Sequence, residues 1–191
     1  MIIKQSDLEE KKLMAMKKED LIKLIKEMEL FLLRVRRKPK DKLKMTGKIK
    51  LTMTDVRTGE VEVAEYKNVI PTVGREAIAR RLIDEGLKSN ESIITYGAVG
   101  TGTTSASVSD TKLESELFRK TIASTSRTNN VIHIRTFYTT SEANGELKEF
   151  GLFGEDATAT ADSGTLFERV NINRTKTNSK TLLIESVITI E

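Results

Sequence analysis

The sequence predicts a mainly β protein, an antiparallel β-sandwich with one short inserted helix, preceded by an N-terminal α-helix. Three observations lead there. Composition changes near Met45, from a Lys/Glu/Leu segment to one rich in Thr, Ser, Gly, Val and Ile. From residue 46 onward, apolar and polar residues alternate in short runs bounded by Gly, Asn, Asp and Ser, as in strands that bury one face. Helical spacing of apolar residues stands out in two places, around 21–35 and 73–85.

With 191 residues, 38% of them hydrophobic, the chain has room for one ordinary core plus an appendage. The expected organisation is an amphipathic helix and basic linker over residues 1–45, then a β-sandwich domain over 46–191. Without cysteine, disulfides and thiolate chemistry are excluded, so stability must come from packing or association. No apolar run approaches the roughly 20 residues that span a bilayer, and Met1 to Gln5 lacks a signal-peptide layout. The expectation is synthesis in the cytoplasm without membrane insertion. The net charge of +4 is uneven: residues 1–50 hold 16 Lys/Arg against 8 Asp/Glu, and the remainder 16 against 20. The basic character therefore belongs to the N-terminal segment.

Ser6 and Glu9 have the spacing of a capping box. Beyond them, Leu21, Leu24, Met28, Phe31 and Val35 fall at alternating three- and four-residue steps, with Ile25 and Leu32 widening the stripe. This is an a/d seam of about two heptads, too short to be stable alone in water. Three settings would cover it: its own domain, other copies of the chain, or a different protein. Pro39 ends the helical pattern. From Arg34 to Lys50, nine basic residues face one acid, Asp41. Arg34, Arg36, Arg37 and Lys38 are the candidate polyanion contacts, although no aromatic side chain is interleaved to stack on bases. A charged linker has the same composition, and nucleic acid is not the expected partner.

In the second region Ile49, Leu51 and Met53 alternate with polar residues, as do Val61 and Val63 after the turn residues Thr58 and Gly59, which predicts a hairpin. A helix over about 73–85 follows Pro71 and a Thr72 cap and stops at Gly86. Further strands are expected at Ile93–Val99, Phe118–Ser124, Val131–Thr139, Leu147–Phe153, Leu166–Ile172 and Thr181–Ile190. The last puts Leu182, Ile184, Ile188 and Ile190 on one face, with Ser186 the exception. About eight strands of this kind suit a sandwich with one buried and one polar face per sheet. Arg119, Lys120 and Arg135 set against Glu149 and Glu168 suggest exposed cross-strand ion pairs.

Catalytic and metal-binding patterns are missing from the sequence. His133 is the one histidine and reads as a half-buried strand residue. Gly97 to Thr104 is glycine-rich without the Gly-Lys-Ser/Thr ending of a phosphate loop, so a tight turn leaving a strand is the better reading. Acid pairs such as Glu114 with Glu116 and Glu146 with Glu149 occur on any solvated face. Glu155, Asp156 and Asp162 do not have the regular spacing of a calcium loop. No catalytic residue, metal or cofactor is expected.

Five stretches, in order, are Asn68 to Arg80 (NVIPTVGREAIAR), Tyr96 to Thr104 (YGAVGTGTT), Asp110 to Lys120 (DTKLESELFRK), Ser141 to Gly154 (SEANGELKEFGLFG) and Ser163 to Val170 (SGTLFERV). Together they resemble a family of small structural, tail-fibre-like or tail-associated proteins of tailed bacteriophages, over roughly residues 47–191. The resemblance implies a non-enzymatic virion component: tail fibre, baseplate or other particle-attached protein. Its implied partners are other virion proteins and a host-surface receptor. Residues 1–45 fall outside the resemblance; because trimers are common in fibre-type proteins, self-association as a homotrimer with the Leu21 to Val35 stripe at or near the axis is expected. A capsid-attached decoration or head-fibre protein fits the same resemblance. A receptor- or carbohydrate-binding module using loops 100–110 and 155–164 is the competing class, disfavoured by 5% aromatic residues and no Trp.

Overall fold

A computed structural model describes residues 17–36, 43–83 and 94–191. Contacts divide the chain into two compact units at Lys42/Leu43, and each is described by itself. The first contains helix α1, Lys18–Arg36, with Glu19 and Asp20 in its first turn, where acids complement the helix dipole. The Ser6/Glu9 box and Pro39 lie outside the described residues.

The second unit is two packed antiparallel sheets. Its elements are β1 (Met45–Asp55), β2 (Val61–Lys67), α2 (Thr72–Leu82), β3 (Ile94–Gly100), β4 (Glu116–Thr121), β5 (Ser124–Thr128), β6 (Val131–Tyr138), β7 (Gly145–Gly154), β8 (Thr165–Lys176) and β9 (Lys180–Ile190). One sheet has the order β2-β1-β9-β6-β5, the other β4-β3-β7-β8. The β1–β2 turn is closed by Asp55, whose Oδ1 accepts the Arg57 and Thr58 amides at 2.9 and 3.2 Å. Gly59 supplies the positive φ of 74° that the turn requires.

The inward residues of both sheets form the main core, including Leu51, Ile184 and Tyr138 from the first and Val99, Phe150 and Val170 from the second. Burying each such side chain contributes about 1.5–3 kcal/mol. The sheets are also joined by polar contacts. Tyr138 Oη, fully buried, donates to the Gly97 carbonyl at 3.0 Å. A smaller core lies on the outer face of the second sheet, where Ala98, Phe153 and Leu166 are covered by Leu113, Ala157 and Val73.

The expected strand Phe118–Ser124 is two strands in different sheets. β4 ends at Thr121; Ile122 N then donates to Thr95 O at 2.9 Å and Ala123 N to Arg135 O at 2.8 Å, so adjacent amides bind opposite sheets. β5, Ser-Thr-Ser-Arg-Thr, carries no apolar residue and is exposed throughout, which is why alternation did not reveal it. Helix α2 begins at Thr72 with Pro71 as its N-cap and no side-chain cap, so the expected Thr72 cap is not formed; Gly86 lies outside the described residues.

Gly74 seats α2 on β8: a Cβ there would lie 2.6 Å from the Phe167 carbonyl oxygen. Alanine normally stabilises a helix interior by about 1 kcal/mol relative to glycine. Here Gly74→Ala is expected to destabilise by about 1–3 kcal/mol instead. Urea unfolding checks this, and a raised midpoint would contradict the close approach.

Candidate functional site

The residues singled out for association lie on α1, which at 19 residues is about 28 Å long. Leu21 and Leu24 are half-buried, whereas Met28 is 56% and Phe31 65% exposed, alongside the exposed Ile22, Ile25 and Leu30. Val35, Arg34 and Arg36 belong to the last turn of the helix, and their side chains lie outside the described residues. Arg37 and Lys38 are themselves outside them. Of the stripe, Ile25, Met28 and Phe31 are thus the exposed apolar residues among those described.

The most concentrated polar chemistry is elsewhere, on the outer face of the second sheet. Glu149 on β7 and Arg169 on β8 are both buried. Glu149 Oε1 accepts the amides of Gly102 (3.0 Å) and Ser115 (2.8 Å), and Oε2 accepts the amide of Glu114 (3.0 Å) and Arg169 Nε (3.0 Å). Arg169 Nη2 lies 2.9 Å from the same Oε2. The rest of the guanidinium fork donates to Asp110 Oδ2 at 2.7 Å and to the Thr104 carbonyl at 3.1 Å. Burial acts against the charge on Arg169, yet Asp110 and Glu149 together hold its pKa above the ordinary arginine value.

The glycine-rich segment therefore does cradle an anion, but the anion is the chain's own. A Cβ on Gly100 or Gly102 would lie 2.5 or 2.4 Å from Glu149 Oε1, so side chains there would displace the carboxylate. The loop 101–115 is fixed further by Glu114 Oε2 on the Thr104 amide (2.7 Å) and Asn171 Oδ1 on the Ala106 amide (2.6 Å). The Thr72 amide donates to Val108 O at 2.8 Å, which ties the start of α2 to the same loop.

A second buried carboxyl points the other way, into the space between the sheets. Glu168 on β8 accepts Ser186 Oγ at 2.7 Å from β9 and the side-chain amide of Asn68. Ser186, the exception in an otherwise apolar face, is thus a staple between the sheets. With no cation among these donors, burial pushes the Glu168 carboxyl up to about 7.

The expected exposed pairing of Arg119, Lys120 and Arg135 with Glu149 and Glu168 does not form. Arg119 binds Glu116 at 2.5 Å with both side chains buried, Lys120 binds Glu142 at 2.7 Å, and Arg135 binds Glu185 at 2.5 Å. Glu149 and Glu168 are interior, held by Arg169 and by neutral donors. A charge inside an apolar run marks Glu168 and Arg169, in Leu166-Phe167-Glu168-Arg169-Val170, whereas Glu149 follows Lys148 and carries no such mark. His133 is half-buried with Nδ1 3.3 Å from Glu185. Of the acidic loop, Glu155 binds Arg80 and Asp162 binds Lys112. No group of acids and histidines among the described residues is arranged to hold a metal.

No known protein family, curated protein or solved structure matches the chain.

Removing one partner of a buried ion pair leaves the other uncompensated, so Glu149→Gln and Arg169→Met are each expected to cost about 3–5 kcal/mol, measured by denaturant unfolding. The double variant should cost less than the two singles summed. Additive losses would show that the pair does not act as a unit. For Glu168, the folded state holds a proton between pH 4.5 and about 7 that the unfolded state has released. Its contribution is complete below pH 4.5 and is lost as pH rises through about 7, amounting to about 3 kcal/mol. Glu168→Gln should abolish that slope, and an unchanged pH profile of thermal stability would contradict it.

Proposed function

We propose that this chain is a non-enzymatic structural protein of a tailed bacteriophage particle, a tail-fibre, baseplate or other particle-attached component that assembles in several copies through α1. The observation that carries the assembly is the apolar stripe on α1, with Met28 and Phe31 more than half exposed. A contiguous apolar helix face left in water is unfavourable and marks an interaction surface. Its three- and four-residue spacing is that of a left-handed helical bundle, in keeping with a homotrimer.

The virion assignment draws on the five ordered stretches. Their polar residues are engaged with one another: Asn68 with Glu168, Gly102 and Ser115 with Glu149, and Asp110 with Arg169. Residues engaged in this way build a scaffold, which supports a structural role. Among the described residues no helix is long and apolar enough to cross a membrane. Other virion proteins and a host receptor are the partners this reading implies.

Replacing Leu24 and Met28 together with Glu should reduce the mass of the full chain in solution, read by light scattering, to that of a smaller assembly. An unchanged mass would remove α1 as the association element. Immunogold labelling of particles from the source organism should decorate them at discrete positions. Signal confined to the soluble fraction would contradict the virion reading.

A further inference from the structure

The two sheets are treated differently on their outer faces. That of β4-β3-β7-β8 is roofed by loop 101–115, loop 155–164 and α2, while that of β2-β1-β9-β6-β5 carries exposed apolar residues. Register places its outward side chains in rows across the strands. One row is Val63, Thr52, Leu183 and Phe137, with Val63 53% and Phe137 40% exposed. The adjacent row is Glu65, Lys50, Glu185 and Arg135, continued by Ser124 on β5.

The order of charges along that row is minus, plus, minus, plus. The geometry points to this face as a contact between two copies of the chain, related by a two-fold axis that lies parallel to the strands between β1 and β9. Such an axis reverses each row onto itself. Glu65 then meets Arg135 of the second copy, and Lys50 meets Glu185. In the apolar row Val63 meets Phe137, and Thr52 meets Leu183. Each charge in the row faces an opposite charge and Val63 faces Phe137, each pairing occurring twice; Arg135 and Glu185, which also bind each other within one chain at 2.5 Å, extend that pair across the contact. The same face laid on a copy in which the row runs in the same direction would set Glu65 on Glu65 and Arg135 on Arg135, which like-charge repulsion opposes. On one side the next row, with Lys67, Lys48, Val187 and His133, adds no attraction; on the other, Val61, Thr54 and Thr181 continue the face with Val61 exposed. Aligned sheets pack about 10 Å apart, a separation these side chains span. The contact does not involve α1, so it links copies through a second surface.

The absence of cysteine makes the test direct. Full-length Val63→Cys and Phe137→Cys variants are prepared separately and treated with a short bismaleimide, alone and as an equimolar mixture. Residues 63 and 137 lie on strands β2 and β6, three strand spacings apart within one chain, or about 14 Å. Under the two-fold relation each is also far from its own counterpart. The mixture should give at least about tenfold more covalent dimer than either variant alone. Glu65→Cys with Arg135→Cys repeats the test one row along, should either first substitution disturb folding. Equal cross-linking in the single variants and the mixture, or none in any sample of either pair, overturns the contact. Repeating the mixture with Leu24 and Met28 both changed to Glu should leave the dimer yield unaltered, which separates this face from the role of α1.

Discussion

The Glu149 carboxylate is the constraint on which the second sheet depends. A charged group taken out of water costs several kcal/mol unless it is paired and hydrogen-bonded. Glu149 is satisfied by three amides of one loop and by the Arg169 guanidinium. The loop cannot leave without stranding the charge, and the charge cannot be accommodated without the loop. Fifteen residues with little apolar content, 101–115, are thereby held as firmly as a strand. They bring Leu113 down on Gly151, where a Cβ would lie 3.0 Å from Leu113 Cδ2. Loop entropy is offset by charge-assisted bonds where hydrophobic burial alone is too small.

That arrangement decides which surfaces are free. The outer face of the second sheet is consumed in binding its own loops and α2, and Val69 extends its β8 edge by a bridge to Arg169. The outer face of the first sheet and the stripe on α1 keep exposed apolar residues. The proposed assembly therefore uses surfaces that folding leaves over, and the buried network supplies the rigidity that a repeated structural component needs. Glu168 adds a limit of its own, since its buried carboxyl favours mildly acidic conditions. The carboxyls of Glu142, held low by Lys120, and of Glu114, held low by the Thr104 backbone amide, are destabilising when protonated at still lower pH.

Most of the sandwich was legible because its core strands alternate cleanly: Ile49-Leu51-Met53 and Leu182-Ile184-Ile188 each bury one face as their period requires. β5 was not, because an edge strand of Ser, Thr and Arg buries nothing and so leaves no period. Ser186 was legible as an anomaly, but its meaning rested on Glu168, which comes from the other sheet. The glycine-rich segment was expected to be a tight turn, but Gly97 and Gly100 belong to β3 and the residues after them open the long loop 101–115. Its bound anion was not foreseen, because the carboxylate is 47 residues away and local spacing cannot report a contact made by tertiary folding. The charged residues misread as exposed pairs show the same limit: composition assigns a charge, and only packing assigns its partner.

Amide hydrogen exchange of Gly102, Glu114 and Ser115 tests the role of Glu149 most directly. If the buried carboxylate anchors the loop, these three amides exchange only with global unfolding, as slowly as those of Phe150 and Leu152 in β7, and Glu149→Gln releases all three together. Exchange at the rate of an open surface loop in the native protein, with β7 still protected, would contradict it.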